Sequence, residues 1–412
     1  MNDNHYQIER QNKTKPGENK MSIRFKVLAA LAALSLILGA CGKAEETESK
    51  PKVENKEKAS EKKEAEEKED AAYADVFTEA LTELDKAKEG KEVDFDKVTT
   101  LYNENLKELV KKRDAEFEDT IDDKITTALT AGKDGAMDKV VVRQIFDKLM
   151  QKVFYTSIKH DFTEVTELWG NTDEVNGELE EAKEYYAILK TTVEKRDAAY
   201  GTNLVSVIDG GFNEIDEAVK NNDLLSFNLG KQVVDKTLMK TFYLATGALP
   251  NGYATKAAAE AGKDAALAKV EQAEGWAFFQ SLYGYFSKNA ADETAFIDKS
   301  FSLESDVKAL DPAAVNKAFV RGFAKIAMGE YEESKELIGK DDKAVVTGLE
   351  GALFIDIIGE DIKTLLGEDA YKSLNEKAQK YVETAKAKDK AAGEAQLKEL
   401  ISTLNTIVEK AK

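Results

Sequence analysis

His160 and Glu164 stand one helical turn apart with Asp161 beside the histidine, and a histidine and a carboxylate at i, i+4 can grip one metal ion from a single helix face. Little else in the chain could complete such a site. A transition metal takes three or four ligands, often several of them histidine, and the only other histidine is His5. Acidic runs such as Glu116-Phe-Glu-Asp-Thr-Ile-Asp-Asp123 offer oxygen without the alternating Asp/Asn, the glycine and the closing glutamate of a helical calcium loop. They read as solvated faces, and His160 as a surface or helix-end residue. No metal site is expected, His160 and Glu164 being the candidates if one exists. Catalytic equipment is equally thin. There is no glycine loop for phosphate, no Gly-x-Ser-x-Gly elbow, no Cys/His pair and no paired-histidine zinc motif. Carboxylate pairs can hydrolyse glycosides, but 33% charged residues make chance pairs frequent. We expect no enzyme, a carboxylate-based hydrolase being the enzymatic alternative.

The polar residues with a second signal behind them are those that recur. Gln144-Ile-Phe-Asp-Lys-Leu-Met-Gln-Lys-Val-Phe-Tyr155 matches Gln232-Val-Val-Asp-Lys-Thr-Leu-Met-Lys-Thr-Phe-Tyr243 without a gap at an offset of 88. Lys112-Arg113-Asp114-Ala115 recurs as Lys195-Arg196-Asp197-Ala198 at an offset of 83. On a helix, Gln144, Lys148, Gln151 and Tyr155 share a face, Val142, Ile145, Leu149 and Val153 form an apolar stripe, and Asp147 and Lys152 fall on the polar edge. The equivalent positions in the second copy are Gln232, Asp235, Lys236, Lys240 and Tyr243. Such residues can form a duplicated polar site for a small ligand or ion. The reading we favour is that each unit uses them to cap, pair and pack against its neighbours. The Lys-Arg-Asp pairs read as basic residues at a helix C-terminus with an aspartate beginning the next helix.

These residues must sit on helices. From about Ala71 to Lys412 the chain holds long stretches of Ala, Leu, Glu and Lys at helical spacing and two prolines, Pro250 and Pro312, with no alternating strand pattern. The fold class is all-α. Gly90, Gly132 with Gly135, Gly201, Gly247 with Pro250 and Gly252, and Asp311-Pro312 mark boundaries. A weaker third copy places Asn316-Lys317 where Asp235-Lys236 stands, and Val270 to Phe279 resembles Leu179 to Ile188. The expected architecture is an array of roughly three, or four, three-helix repeats of about 85 residues over 94–165, 173–250 and 262–335, with 341–412 as a degenerate unit or cap. Trp276, Phe279, Tyr283 and Phe286 share one face, and Phe278 and Tyr285 another, as on a helix buried between two layers.

The most specific motif lies upstream. Val27 to Ala40 is an apolar run of 14 residues that follows Arg24 and Lys26 and stops at Cys41, the chain's only cysteine. Its length suits a signal peptide and falls short of the ~20 residues a membrane span needs. Leu38-Gly39-Ala40-Cys41 resembles the lipobox of bacterial lipoproteins. That resemblance implies cleavage between Ala40 and Cys41 and a diacylglycerol on the Cys41 thiol, holding the protein on the outer side of the bacterial cell membrane. Residues 1–20 then read as an upstream extension and 21–40 as the signal peptide, with Met21 as the start. Gly42 to Asp70 is a run of lysine and glutamate with no aromatic residue, so 41–70 reads as a disordered tether spanning roughly 30 Å.

Residues 1–40 carry six basic and three acidic side chains, so without them the net charge of −19 becomes −22. That field repels nucleic acid and anionic headgroups and leaves soluble cations or basic protein surfaces as partners. The expected function is a lipid-anchored, extracytoplasmic binding or scaffold module that meets an envelope protein or a small ligand and needs no cofactor. The alternative is capture of a cation, iron or a haem-like cofactor, similar to the imelysin-like lipoproteins. The Gly-x-His-x-x-Glu motif of that family is absent, since His160 is followed by Asp161-Phe162-Thr163-Glu164.

Overall fold

Aspartate starts several of the long helices of this chain. The computed structural model describes residues 73–412, and every regular element in them is helical. The extension 1–20, the signal segment 21–40 with Ala40, Cys41 and the tether 41–70 lie outside the described residues. The helices are α1 (73–85), α2 (Phe95–Leu101), α3 (Lys107–Phe117), α4 (Ile121–Lys133), α5 (Lys139–Glu167), α6 (Thr172–Tyr200), α7 (Leu204–Lys220) and α8 (Leu224–Thr246). They continue as α9 (Tyr253–Glu260), α10 (Ala265–Asn289), α11 (Ala291–Phe301), α12 (Pro312–Leu337), α13 (Lys343–Ile357), α14 (Gly359–Leu366), α15 (Glu368–Lys386) and α16 (Lys390–Lys410). A π-helical turn, Tyr102–Leu106, joins α2 to α3. Among the described residues no helix is long and apolar enough to cross a membrane.

Asp138, Asp223, Asp264 and Asp311 each accept first-turn N–H groups of α5, α8, α10 and α12, satisfying donors that have no partner within the helix and placing negative charge at the positive end of its dipole. Pro312 follows Asp311 in the first turn of α12, where its missing N–H costs nothing. Asp114 and Asp197 cap in another way. Each sits in the last turn of one helix, not at the start of the next, and reaches across the turn. Asp114 accepts from the N–H of Ile121 (2.8 Å) and Asp122 (2.9 Å), and Asp197 from Leu204 (2.6 Å) and Val205 (3.1 Å). Glu118 and Gly201, both left-handed, close the two helices at equivalent places. The two copies of the motif thus make the same helix–turn–helix corner.

Helices α5 and α8 form the centre. Every residue from Gln144 to Ile158 in α5 and from Val233 to Thr246 in α8 is buried. Helix α10 packs against both and against α12, while α13 packs against α8, α12 and α15. Phe278, Phe279 and Phe286 of α10 are buried, and Phe286 meets the ring of Phe323 edge-on at 4.8 Å. Tyr283, assigned by its spacing to the same face, is 38% exposed and touches Phe279 only along one side, its hydroxyl-bearing ring being able to face water.

Helices α7 and α8 cross where Gly211 and Gly230 face each other. A Cβ on Gly230 would lie 2.9 Å from Ile215 Cγ1 and 3.4 Å from the Gly211 carbonyl oxygen. Alanine is the better helix former by about 1 kcal/mol, but forcing a methyl into a filled contact costs about 1–3 kcal/mol. Gly230→Ala is therefore expected to lower the denaturant midpoint, and a raised midpoint would show that the crossing has slack.

Candidate functional site

The repeated polar residues lie inside the protein. Asp147 and Lys152, which the helical pattern places on a polar edge, are 4% and 5% exposed, because α5 is covered on all sides by its neighbours. Gln144, Lys148, Tyr155, Asp235, Lys236, Lys240 and Tyr243 are buried as well, and Gln232 is half-buried. A charge in such a position is tolerated only with partners at hydrogen-bond distance.

Three nodes supply them. At the first, Asp147 accepts from Arg143 Nη1 (2.5 Å), Lys148 Nζ (2.6 Å) and Gln151 Nε2 (2.7 Å), while Thr192 of α6 donates to Gln151 Oε1 (2.8 Å). Arg143 also donates to Asp85 of α1 (2.8 Å) and to Gln144 Oε1 (2.8 Å). At the second, the Tyr155 hydroxyl donates to Asp235 Oδ1 (2.6 Å), and Lys236 Nζ meets Asp235 Oδ2 (2.6 Å), Gln232 Oε1 (3.1 Å) and Glu350 Oε1 of α13 (3.0 Å). Lys159 Nζ lies 5.7 Å from the ring centroids of Phe117, Tyr155 and Tyr285, and the Tyr285 hydroxyl donates to Glu330 (2.9 Å). At the third, the Tyr243 hydroxyl donates to Asp361 Oδ2 (2.7 Å), and Asn316 Nδ2 donates to both Tyr243 Oη (2.9 Å) and Asp361 Oδ1 (2.9 Å). Lys152 pairs with Asp119, and Lys240 with Asp356 Oδ2 (2.9 Å).

A relation between copies emerges from these partners. The tyrosine that ends the first motif bonds the aspartate of the second, and the tyrosine that ends the second bonds Asn316, which holds the aspartate's place in the third. The partners Glu350 and Asp356 lie on α13 and Asp361 in the first turn of α14, outside every matched segment, which is why the motif alone could not point to them.

Burial pushes the buried aspartates up, yet adjacent ammonium and guanidinium groups prevail where they are present. Lys148 and Arg143 hold Asp147 at about 2, Lys236 and Lys159 hold Asp235 at about 2, and Lys152 holds Asp119 at about 2. Asp361 has no such cation in contact, and burial keeps its carboxyl above the usual range in spite of the hydrogen bonds from Tyr243 and Asn316. Burial also raises Glu214 to about 7, with Lys386 opposing, and Glu330 to about 7, with Glu350 adding to the rise.

The sequence-level metal candidates are not brought together. His160 Nδ1 lies 2.9 Å from Glu116, on α3, and Glu116 also meets Arg113 at 3.2 Å, so the histidine belongs to a half-buried surface pair, with Glu164 outside that pair. The carboxylates that do converge are Asp161, Glu178 and Glu181, each with an oxygen within 4.8 Å of the others. All three also have interactions inside the protein. No protein-family model, curated protein or solved structure matches this chain.

Two outcomes test the buried network. Tyr155→Phe leaves Asp235 short of one donor and should cost about 1–3 kcal/mol in denaturant unfolding. The lowered aspartates contribute stability that is complete above about pH 4 and is lost as the pH falls through their folded values. Raised Glu214 and Glu330 act in the other sense, disfavouring the fold as pH climbs from their ordinary range through about 7. The unfolding midpoint should thus be higher near pH 5 than near pH 8, with Glu214→Gln shrinking the difference. A midpoint that rises over that interval, or an unaltered slope in the variant, contradicts the assignment.

Proposed function

We propose that this chain is a lipid-anchored, extracytoplasmic helical-repeat protein that serves as a binding or scaffold module at the bacterial cell envelope. The observation that carries the reading is Cys41, the one cysteine, standing directly after Leu38-Gly39-Ala40 at the end of a signal-length apolar run. Burying acyl chains contributes about 0.8 kcal/mol per methylene, so a diacylglycerol at Cys41, with or without a third chain on the new amino group, suffices for stable attachment.

The described body fits this role in its own terms. The charges of its first two buried nodes are spent on one another, and its surface belongs to a strongly acidic chain, so a basic envelope protein is the partner class that the electrostatics favour. Stacked helical units present long continuous faces for such contacts.

The direct test is Cys41→Ser in the producing cell. We expect the variant to lose lipid labelling and to appear either as an uncut precursor or in the soluble fraction. Unchanged processing and membrane retention would overturn the anchor. Crosslinking in intact cells should recover one recurrent envelope protein with the wild type, and repeated failure to do so would overturn the scaffold role while leaving the anchor intact.

A further inference from the structure

The Lys-Arg-Asp-Ala corner occurs twice, and the two arginines have different surroundings. Arg113 is 8% exposed and Arg196 is 6% exposed. Arg113 finds a carboxylate three residues on, Glu116, at 3.2 Å. The position equivalent to Glu116 in the second copy is Ala199. Arg196 consequently has no carboxylate within 4 Å among the described residues, and its Nε and Nη1 are buried with no hydrogen-bond partner. A buried, unsatisfied guanidinium is costly, and nothing in the helix corner requires it, since Asp197 alone caps α7.

The surroundings of Arg196 are basic. Its guanidinium carbon lies 5.9 Å from the centroid of Tyr253, whose ring stacks on Phe278 at 5.7 Å, and Lys148 Nζ lies 5.0 Å from the Phe278 centroid on α10. Lys195, the residue before it in the chain, also has no carboxylate within 4 Å among the described residues. Burial, then repulsion from Lys148, Arg143 and Arg196, lowers its pKa against the pull of Asp147. Asp147 itself is already engaged by Arg143 and Lys148. The opposing charges on α10 are Glu274, which takes the Tyr253 hydroxyl, and Glu271, whose Oε2 is likewise buried without a partner. Two orphaned donors and one orphaned acceptor therefore flank a stacked aromatic pair.

We propose that Arg196 and Lys195, beside the Tyr253–Phe278 pair, bind a small oxyanion that carries its own hydroxyl, such as hydrogen phosphate or a hydroxycarboxylate. The oxyanion takes the guanidinium N–H groups, for which its geometry is suited, and its hydroxyl donates to Glu271. Ala199 stands where the first copy carries an internal carboxylate, so this corner supplies no competing anion of its own. This site does not depend on how the chain is anchored or on which protein it meets.

Calorimetry of the full-length protein, in buffer free of other oxyanions, with inorganic phosphate and with glycolate as separate titrants, tests the site. Saturable binding of at least one, with one site per chain, is expected, and the titrant that binds identifies the chemistry. Ala199→Glu should restore the Arg113–Glu116 arrangement, filling the site from within. It is expected to weaken binding about ten- to hundredfold while leaving the thermal midpoint equal to or above that of the wild type. Lys195→Gln, at an exposed position, should weaken binding without unfolding the chain, which covers the case in which Arg196→Gln fails to fold. No saturable binding of either titrant to the wild type, or wild-type affinity in Ala199→Glu, overturns the proposal.

Discussion

An ionised side chain on a helix that is buried on every side must find a counter-charge or a hydrogen-bonding partner within reach, on its own helix or on a neighbour, and that single demand shapes the interior of this protein. Helices α5 and α8 are surrounded along most of their length, yet each carries lysine, aspartate and tyrosine in the surrounded stretch. Apolar contact alone would tolerate many rotations of one helix against the next. The bonds from Tyr155 to Asp235 and from Lys236 to Glu350 admit one, because a shift of a residue would strand a charge in a medium where it interacts strongly with everything near it. Close crossings such as that of Gly211 and Gly230 then become usable, since the register that brings glycine to glycine is held.

The contrast between Asp235 and Asp361 shows what an adjacent cation adds. Both accept a hydrogen bond from a buried tyrosine. Lys236 beside the first keeps it firmly ionised, whereas burial dominates at the second, where the side-chain donors are the neutral groups of Tyr243 and Asn316 and Lys240 acts only from a distance. Hydrogen bonding by a neutral group orients a carboxylate without fully compensating its lost hydration.

Much of the local structure was legible from residue order. The helical class, the Asp311-Pro312 start of α12 and the kinship of the two Lys-Arg-Asp corners all depend on neighbours within a few residues, where intrinsic preference and capping chemistry act. The fate of the charged positions was not legible. Asp147 and Lys152 look solvated by residue type, and only the covering helices make them interior. Lys240 meets Asp356 across 116 residues and Tyr243 meets Asp361 across 118, distances at which periodicity carries no information. His160 likewise answers to Glu116 on α3 and not to Glu164 on its own helix, because the helix corner brings α3 alongside.

The tyrosine that closes one motif and the aspartate that sits inside the following one make a head-to-tail coupling, with a donating end and an accepting end. Such a coupling has a direction, and in principle it could be extended by any further copy that offers the same two ends. The third copy offers neither in full. Asn316 replaces the aspartate, and in the same alignment Ala324 stands where Tyr243 would recur. With no hydroxyl at position 324, the same bond cannot be handed to a further helix, so the coupling that joins the two matched segments runs out at Asn316 through the substitution of two side chains.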